Sequence, residues 1–549
     1  MKAIKVGVSG ALCLAFACVG HADAAAQVRT FSVDSAQTGA LLPNPSQMIS
    51  AWAPPKRIDP EKLANLEWDV RDFTQWVEVM GATGGNADRD CFRNPNDRSV
   101  KDDYDFTKLV DGCRAIIDQR MKPYLKLGNV PMKLSSNIGN GEFMMNIRPP
   151  DDYDEYARYM EACAKALVSA FGKDELKTWR YAVLTEYENG GWFLDATGNA
   201  ERTFHAYCLL YEKTVEVFSR VISPDLTFGA HAMAVTEGSW DERRFFSFVA
   251  VRKLPLKFVT ASFYDDRPGK FTHGFDLPKT FAHLRDGAEK AGLKNLFYGV
   301  DEGRLLYGAK GGSQSQNLAT RIVGDTFQAG YDARIVRQLF DSGADYFAAW
   351  GYMSGPNNLY EGIPSVSFHV AKEAAKFKGM RRLQVAENAG VLPGIECEAV
   401  AAIDESAKRM QVMAYSFTNS LHTTGSVRMR FEVKLPESWR GKTVTVRRRL
   451  VDDSVNWFPE WRKDRAALGV GDNLFNWSPD DPAVMSGVGL ADPKFRAHFQ
   501  NVLLPRYREI ARLKPKSRKF VAEEGKNFVY DCKTQVNSAM FLEFVLESE

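Results

Sequence analysis

The chain contains no C-x-x-C pair, no H-x-H and no H-E-x-x-H, and it has 8 histidines and 8 cysteines in 549 residues. Those gaps argue against a clustered zinc site and against metal-dependent hydrolysis on a barrel, so no metal is expected. No predicted strand is followed by a glycine-rich phosphate loop. The segment from Gly81 to Gly85 (GATGG) lacks the G-x-G-x-x-G spacing and reads as a plain loop, so no nucleotide cofactor is expected either. Charge of one sign is also missing: the formal net charge is +2, without the concentrated basic footprint that nucleic-acid binding requires. Beyond the first two dozen residues no stretch is apolar enough to span a bilayer. Internal repeats and low-complexity tracts are absent.

What remains is an ordinary globular composition, 45% hydrophobic and 26% charged, in a chain too long for one small core. Residues 1–24 have the form of a secretory signal peptide. Lys2 and Lys5 precede a short apolar run over 6–20, and Ala22-Asp23-Ala24 follows as an A-x-A cleavage site. The protein is therefore expected to be secreted or periplasmic. Ala15-Phe16-Ala17 is a poor match to the context of a lipid anchor at Cys18. Removing the leader leaves Cys91, Cys113, Cys163, Cys208, Cys397 and Cys532. A Cys397–Cys532 staple and buried free thiols are equally open at this point.

From about residue 75 to 380, short apolar runs alternate with helical patterns. Strands are predicted at Val77–Ala82, Pro123–Leu127, Arg180–Thr185, Leu226–His231, Leu256–Phe263, Asn295–Val300 and Tyr346–Trp350, with an eighth upstream. Residues 152–171, 202–221 and 326–340 show apolar positions three and four apart. Repeated β-then-α units imply parallel strands with right-handed crossovers. The expected fold is α/β: a (β/α)8 TIM barrel over 71–385, then a β-sandwich-like accessory domain over 386–549. Segment 25–70 is expected to pack on the β domain.

In such a barrel the chemistry stands at the C-terminal ends of the strands. Two predicted strands end in carboxylates. One runs Tyr181 to Thr185, then Glu186-Tyr187-Glu188-Asn189; the other runs Phe297 to Val300, then Asp301-Glu302-Gly303. Paired carboxylates are what glycoside cleavage needs, one protonated to donate to the leaving oxygen and one ionised to attack or to activate water. The bland alternative is that acids follow strands for solubility. Aromatics near the same ends favour the sugar-binding reading: Tyr187, Trp192, Phe193, Trp240, Tyr264, Trp350 and Tyr352. His231 ends another strand; a lone histidine is more often structural. Alternation in an extended segment would turn Glu186 and Glu188 to the same side, and Asp301 away from Glu302.

These residues resemble glycoside hydrolase family 39, the β-xylosidases and α-L-iduronidases of clan A. YDFTKLVDGCRAIIDQRMKPYLKLGNVP (104–131) resembles the family's helix and third strand, and WRYAVLTE (179–186) its acid/base strand. FVTASFY (258–264) is similar to its sixth strand, and LFYGVDE (296–302) to the strand that carries its nucleophile. DTFQAGYDARIV, DYFAAWGYMSG and GIPSVSFHVAKEAAKFKGM follow in order, then RLVDDSVNWFPEWRKDRAALG in the β domain. The resemblance implies Glu186 as acid/base and Glu302 as nucleophile, with Glu188 the competitor of Glu186. Thr185, His231, Tyr264, Trp350, Trp192 and Glu188 would contact substrate. Thr185, Asp301 and Ser262 stand where the family has Asn, Thr and His, and Gly81-Ala82-Thr83 replaces a Gly-His-Gly type segment. The implied function is a secreted retaining glycosidase, exo-acting and β-xylosidase-like, with a carbohydrate as its partner. An endo-acting hydrolase of an unusual polysaccharide and a non-catalytic carbohydrate-binding protein are the alternatives. Oligomeric state is not legible.

Overall fold

The computed structural model describes residues 28–51, 59–141, 144–232, 242–265, 276–305, 326–348, 363–388, 393–406, 408–418, 424–467 and 493–547. The first strand, β1 (Val28–Leu41), leads into eight strands that pair in chain order as one parallel sheet: β2 (Met48–Ala51), β3 (Trp76–Val79), β4 (Lys122–Leu127), β5 (Arg180–Val183), β6 (Thr227–Ala232), β7 (Phe258–Asp265), β8 (Phe297–Leu305) and β9 (Tyr346–Phe347). Every adjacent pair is parallel. The seam between last and first strands is bridged where Phe347 N–H donates to Pro45 O at 2.9 Å and Gln47 Nε2 to Asp345 O at 3.0 Å. The sheet is thus a nearly closed TIM-type barrel. Its first strand is β2, which lies before residue 71, where the sequence pattern starts the barrel; four residues with a preceding Pro-Ser turn give little periodicity to read.

The helices α1 (Pro60–Ala64), α2 (Thr107–Asp118), α3 (Tyr153–Leu176), α4 (Ala200–Val221), α5 (Glu242–Arg252), α6 (Leu277–Lys290), α7 (Phe327–Ser342) and α8 (Val366–Ala374) alternate with these strands. Local chemistry sets several of their starts. The Asp152 carboxylate caps α3 by accepting from the N–H groups of Asp154 and Glu155, Asn199 caps α4 and Asp276 caps α6. Inside the barrel one layer is packed from Met48, Tyr124, Ala182, Phe258, Tyr346 and Ala348. The Arg180 guanidinium lies against three rings, 4.3 Å from the centroid of Trp76, 4.8 Å from Phe297 and 5.4 Å from Tyr346.

A second sheet holds β1 with β10 (Arg381–Glu387), β11 (Glu396–Asp404), β12 (Arg409–Phe417), β13 (Ser426–Lys434), β14 (Thr443–Val451), β15 (Lys516–Val521), β16 (Phe528–Gln535) and β17 (Ala539–Leu546). The order is β15-β14-β17-β12-β11-β10-β1-β13-β16. Its end strands turn toward each other: the Phe520 and Phe528 rings are 4.7 Å apart, and Phe528 meets Phe544 at 5.1 Å. The sheet therefore curls over its own core in sandwich fashion.

Strict alternation explains how this sheet also serves the barrel. In β12, Met410, Val412 and Ala414 face the sheet's own core, whereas Met413, Tyr415 and Phe417 join the barrel's hydrophobic cluster. The contact is close at α7. A Cβ on Gly330 would lie 2.5 Å from Ser416 O, so only glycine fits there. Ion pairs Arg334–Glu396 at 2.9 Å and Arg449–Glu373 at 3.4 Å frame the same interface. The six described cysteines are all free thiols; of the two alternatives for Cys397 and Cys532, the molecule has the thiols rather than the staple.

Candidate active site

The strand ends β5 to β8 gather a set of buried polar side chains where an apolar barrel would otherwise continue. Glu186 lies three residues beyond β5. The chain leaves that strand through Leu184 at φ +62° and Glu186 at φ +42°, the left-handed region that non-glycine residues avoid. Each costs on the order of 1–3 kcal/mol, held by surrounding structure, and such residues concentrate at functional sites. The segment that follows is turned, not extended; Asn189 N–H donates to Glu186 O at 2.8 Å. The two-residue alternation expected for Glu186 and Glu188 therefore does not apply.

Glu186 is buried, and its donors among the described residues include three side chains. Asn189 Nδ2 at 3.0 Å and Trp192 Nε1 at 3.1 Å both donate to Oε2, and the Ser262 hydroxyl donates to Oε1. Ser262 Oγ is in turn 2.9 Å from His231 Nε2. One donor atom each from Glu186, His231 and Glu302 lie within 4.8 Å of one another. Glu188 does not belong to this group. It sits near Tyr207, whose phenol its charge reaches.

A β-bulge shapes the other side. Ala261 pairs with Val300, but the next pair is Ser262 with Glu302, leaving Asp301 as the extra residue. Both consecutive carboxylates are consequently buried within the barrel, at 0% and 5% exposure, and each reaches His231. The expectation that Asp301 points away from Glu302 fails for this reason. Asp301 accepts from Tyr124 OH, Thr260 Oγ1 and Tyr346 OH, each at 2.6 Å, and is ion-paired to Lys126. Lys126 Nζ also lies 3.2 Å from Glu78 Oε1, and Ser50 Oγ donates to Glu78 at 2.8 Å.

Two carboxylates thus share one buried ammonium, and they divide the proton unequally. Burial pushes Asp301 up, but the Lys126 charge and the hydrogen bonds from Lys126 and Thr260 outweigh it and bring its carboxyl down to about 2. Burial also pushes Glu78 up, to about 8, with Lys126 offsetting only part of it. Burial, reinforced by the Lys126 charge, holds His231 well below the ordinary imidazole range, so its ring is neutral. Below the glutamate pair the barrel therefore carries a fixed Asp301–Lys126 ion pair and a protonated Glu78. Glu186, His231 and Glu302 are a mixed oxygen and nitrogen set of a kind that could ligate a divalent cation. In this molecule Ser262 engages both His231 Nε2 and Glu186 Oε1.

The other expected residues are distributed as follows. Trp192 is 6% exposed and donates to Glu186, so it belongs to the site through its indole nitrogen. Thr185 is 2% exposed, and its Oγ1 has no hydrogen-bond partner among the described residues. Tyr264 lies in β7 in register with Arg304 of β8. Trp350, like Trp240 and Tyr352, lies outside the described residues. Tyr187 stacks on Tyr207 at 3.5 Å and 5°, as packing against α4 and not as a platform at the mouth. Sequence reasoning passed over Glu78, Lys126 and Asn189. The signal for the first two was present: a charged residue interrupts the apolar strands WVEV and KPYLKL.

Asn456 and Trp457, from the β domain, dock beside the starts of α7 and α8. Asn456 Nδ2 donates to Thr326 Oγ1 at 3.1 Å and Trp457 Nε1 to Pro364 O at 3.0 Å.

Comparison with known proteins places these features in context. The profile of Glycosyl hydrolases family 39 matches residues 86–414. A β-xylosidase of Geobacillus stearothermophilus is 24% identical over 290 residues, which is 50% of this chain and 53% of that protein. The chain thus spans about half the length of this curated relative. Among solved structures, the GH39 enzyme of Xanthomonas axonopodis pv. citri superposes with a TM-score of 0.61 at 16% identity, covering 95% of this chain and 98% of that one. A monomeric β-xylosidase of Caulobacter crescentus CB15 gives 0.61 at 17% identity, covering 95% and 100%. At such identities these two likenesses speak for the fold.

Proposed function

The chain belongs to glycosyl hydrolase family 39, and from that premise we propose that it is a retaining glycosidase, exo-acting and β-xylosidase-like, using Glu186 and Glu302. One observation carries the reading: the two carboxylates come from different strand ends, and one oxygen of each lies within 4.8 Å of the other's, too close for the inverting spacing. Retaining enzymes hold their pair about 5–5.5 Å apart, whereas inverting enzymes leave about 6.5–9.5 Å for a water molecule. In the proposed reaction Glu186 gives its proton to the leaving glycosidic oxygen while Glu302 attacks the anomeric carbon. Glu186 then takes a proton from water, which displaces Glu302 from the covalent glycosyl intermediate.

The surroundings suit these roles. The nucleophile's neighbour Asp301 is already neutralised by Lys126, so Glu302 does not face an uncompensated second carboxylate. The Thr185 hydroxyl, buried and unpartnered among the described residues, supports a contact with a sugar hydroxyl, with less reach than the Asn it replaces. The leader-like residues 1–24 support secretion or export to the periplasm.

The test is product release from nitrophenyl glycosides and plant, algal and host polysaccharides by wild type, Glu302→Gln and Glu186→Gln, with the anomer formed first followed by NMR. The expected result is cleavage of a β-xyloside with retention, abolished by Glu302→Gln. Glu186→Gln should lose roughly 10²–10⁴-fold on poor leaving groups. Inversion, or full activity in either variant, would refute the assignment. Glycan binding without cleavage by wild type would favour a carbohydrate-binding protein.

A further inference from the structure

The three donors around Glu186 are not equivalent. Trp192 Nε1–H is a donor only, and Asn189 presents its amide nitrogen; both cap Oε2. An oxygen already accepting from two N–H groups has no room for a proton of its own. The acid form of Glu186 must therefore carry its hydrogen on Oε1, the oxygen that faces Ser262. A hydroxyl is the one group in this set that works with either form. It donates to the carboxylate, and it accepts from the carboxylic acid.

His231 completes the logic. Its Nε2 is 2.9 Å from Ser262 Oγ, and its Nδ1 is buried without a partner among the described residues. As a neutral ring it can place its hydrogen on either nitrogen. With hydrogen on Nε2 it donates to Ser262, which donates to ionised Glu186. With hydrogen on Nδ1, Nε2 accepts from Ser262, which accepts from protonated Glu186. Both arrangements use the same heavy-atom positions.

Resting on the assignment of Glu186 as acid/base, we infer that Ser262, backed by His231, is a positioning residue that serves Oε1 of Glu186 in both protonation states and so fixes which oxygen carries the transferable proton. Substrate then takes the place of Ser262 as the acceptor, without rotation of the carboxyl group. Among the described residues, the charged groups around this trio are Glu302 and Asp301 from β8, Lys126 from β4 and Glu78 from β3; Glu188, in the same segment as Glu186, sits toward Tyr207. Asp301 and Lys126 cancel in charge, and among the described residues Glu302 is the carboxylate within 4.8 Å of both Glu186 and His231.

The test is Ser262→Ala in the full chain, read in two ways. The first is the titration of the Glu186 carboxyl carbon by NMR on protein labelled with ¹³C at glutamate Cδ, identified by difference from Glu186→Gln. A hydrogen bond to the ionised form is about twice as strong as one to the neutral acid, so losing the hydroxyl should raise the midpoint by about one pH unit. Ser262→Thr, which keeps the hydroxyl, should return it. The second readout is the pH profile of kcat/KM on 4-nitrophenyl and 2,4-dinitrophenyl β-D-xylosides. Its basic limb should rise by the same amount, with the larger loss of kcat on the poorer leaving group. An unmoved midpoint in folded Ser262→Ala, or equal losses on both xylosides, would overturn the inference. If Glu186→Gln keeps full activity, the acid/base assignment falls while the carbon titration still decides the hydrogen bond.

Discussion

Replacing Glu78 by Gln should remove a large share of the stability loss that the protein shows between mildly acidic and mildly alkaline pH, leaving the share from Asp90, whose buried carboxyl is pushed up to about 7. Glu78 is wholly buried on β3, beside Lys126 and Ser50. Burial raises its carboxyl from 4.5 to about 8. Below about pH 4.5 the folded and unfolded chains both hold this proton. Above it the unfolded chain releases the proton, while the folded chain keeps it until about pH 8. The folded state binds more protons throughout that window, so stability is complete at the acidic end and falls as pH rises. The interval of about 3.5 units, at about 1.36 kcal/mol per unit, gives a ceiling of about 5 kcal/mol. Gln has the shape of the protonated acid. Its amide nitrogen can donate to Ser50 Oγ, whose one hydrogen is then free to point at Asp301 O, 3.0 Å away. Urea unfolding of wild type and Glu78→Gln, measured at intervals from pH 5 to 9, reads the difference. The wild type should weaken steadily up to about pH 8, and the variant should be flatter by up to that ceiling. Parallel profiles would refute the argument, because they would mean that Glu78 contributes no proton uptake to folding.

The same cluster predicts the opposite sign for its cation. Lys126→Met strands ionised Asp301 in the barrel and should cost about 3–5 kcal/mol at pH 7 by urea unfolding, with part regained at lower pH as Asp301 takes up a proton. Gly330→Ala would put a methyl group 2.5 Å from Ser416 O and should destabilise by about 1–3 kcal/mol, with faster proteolysis between barrel and second sheet. Trp457→Ala removes a buried ring and its hydrogen bond to Pro364 O and should cost about 3–5 kcal/mol by urea unfolding. A loss well under about 1 kcal/mol would refute the burial argument for this ring.

The barrel was legible because each of its central strands is an apolar run followed by a helix pattern, and those strands fall within the predicted runs to a few residues. β2 was less so, since four residues carry no period. The glutamate pair is legible as the acids that end two apolar runs, YAVLTE at 181–186 and FYGVDE at 297–302. Their neighbours are not, because both strand ends break the rule that alternation relies on. Leu184 and Glu186 adopt left-handed backbone, and Asp301 is an inserted residue in the β7–β8 ladder. A single bulge is invisible in a hydrophobic pattern, yet it decides whether one carboxylate or two enter the barrel. Ser262 was noticed only as a departure from a family pattern. Its partnership with Glu186 and His231 joins positions from three strands, a proximity no local spacing encodes.

The place of β1 bears on how the molecule can be assembled and rearranged. It is paired on one side with β10 and on the other, in parallel, with β13. A ribosome makes this strand before any of the barrel, but its parallel neighbour emerges only after all the barrel strands are complete. This strand must wait, unpaired, while about 340 residues, from Leu41 to Arg381, are made before β10 reaches it. The second sheet is consequently a clasp fastened from both ends of the barrel. A barrel excised together with β1 would part β10 from β13, and a sheet transplanted without β1 would lack an interior strand. In evolutionary or engineering exchange, the two parts should travel together.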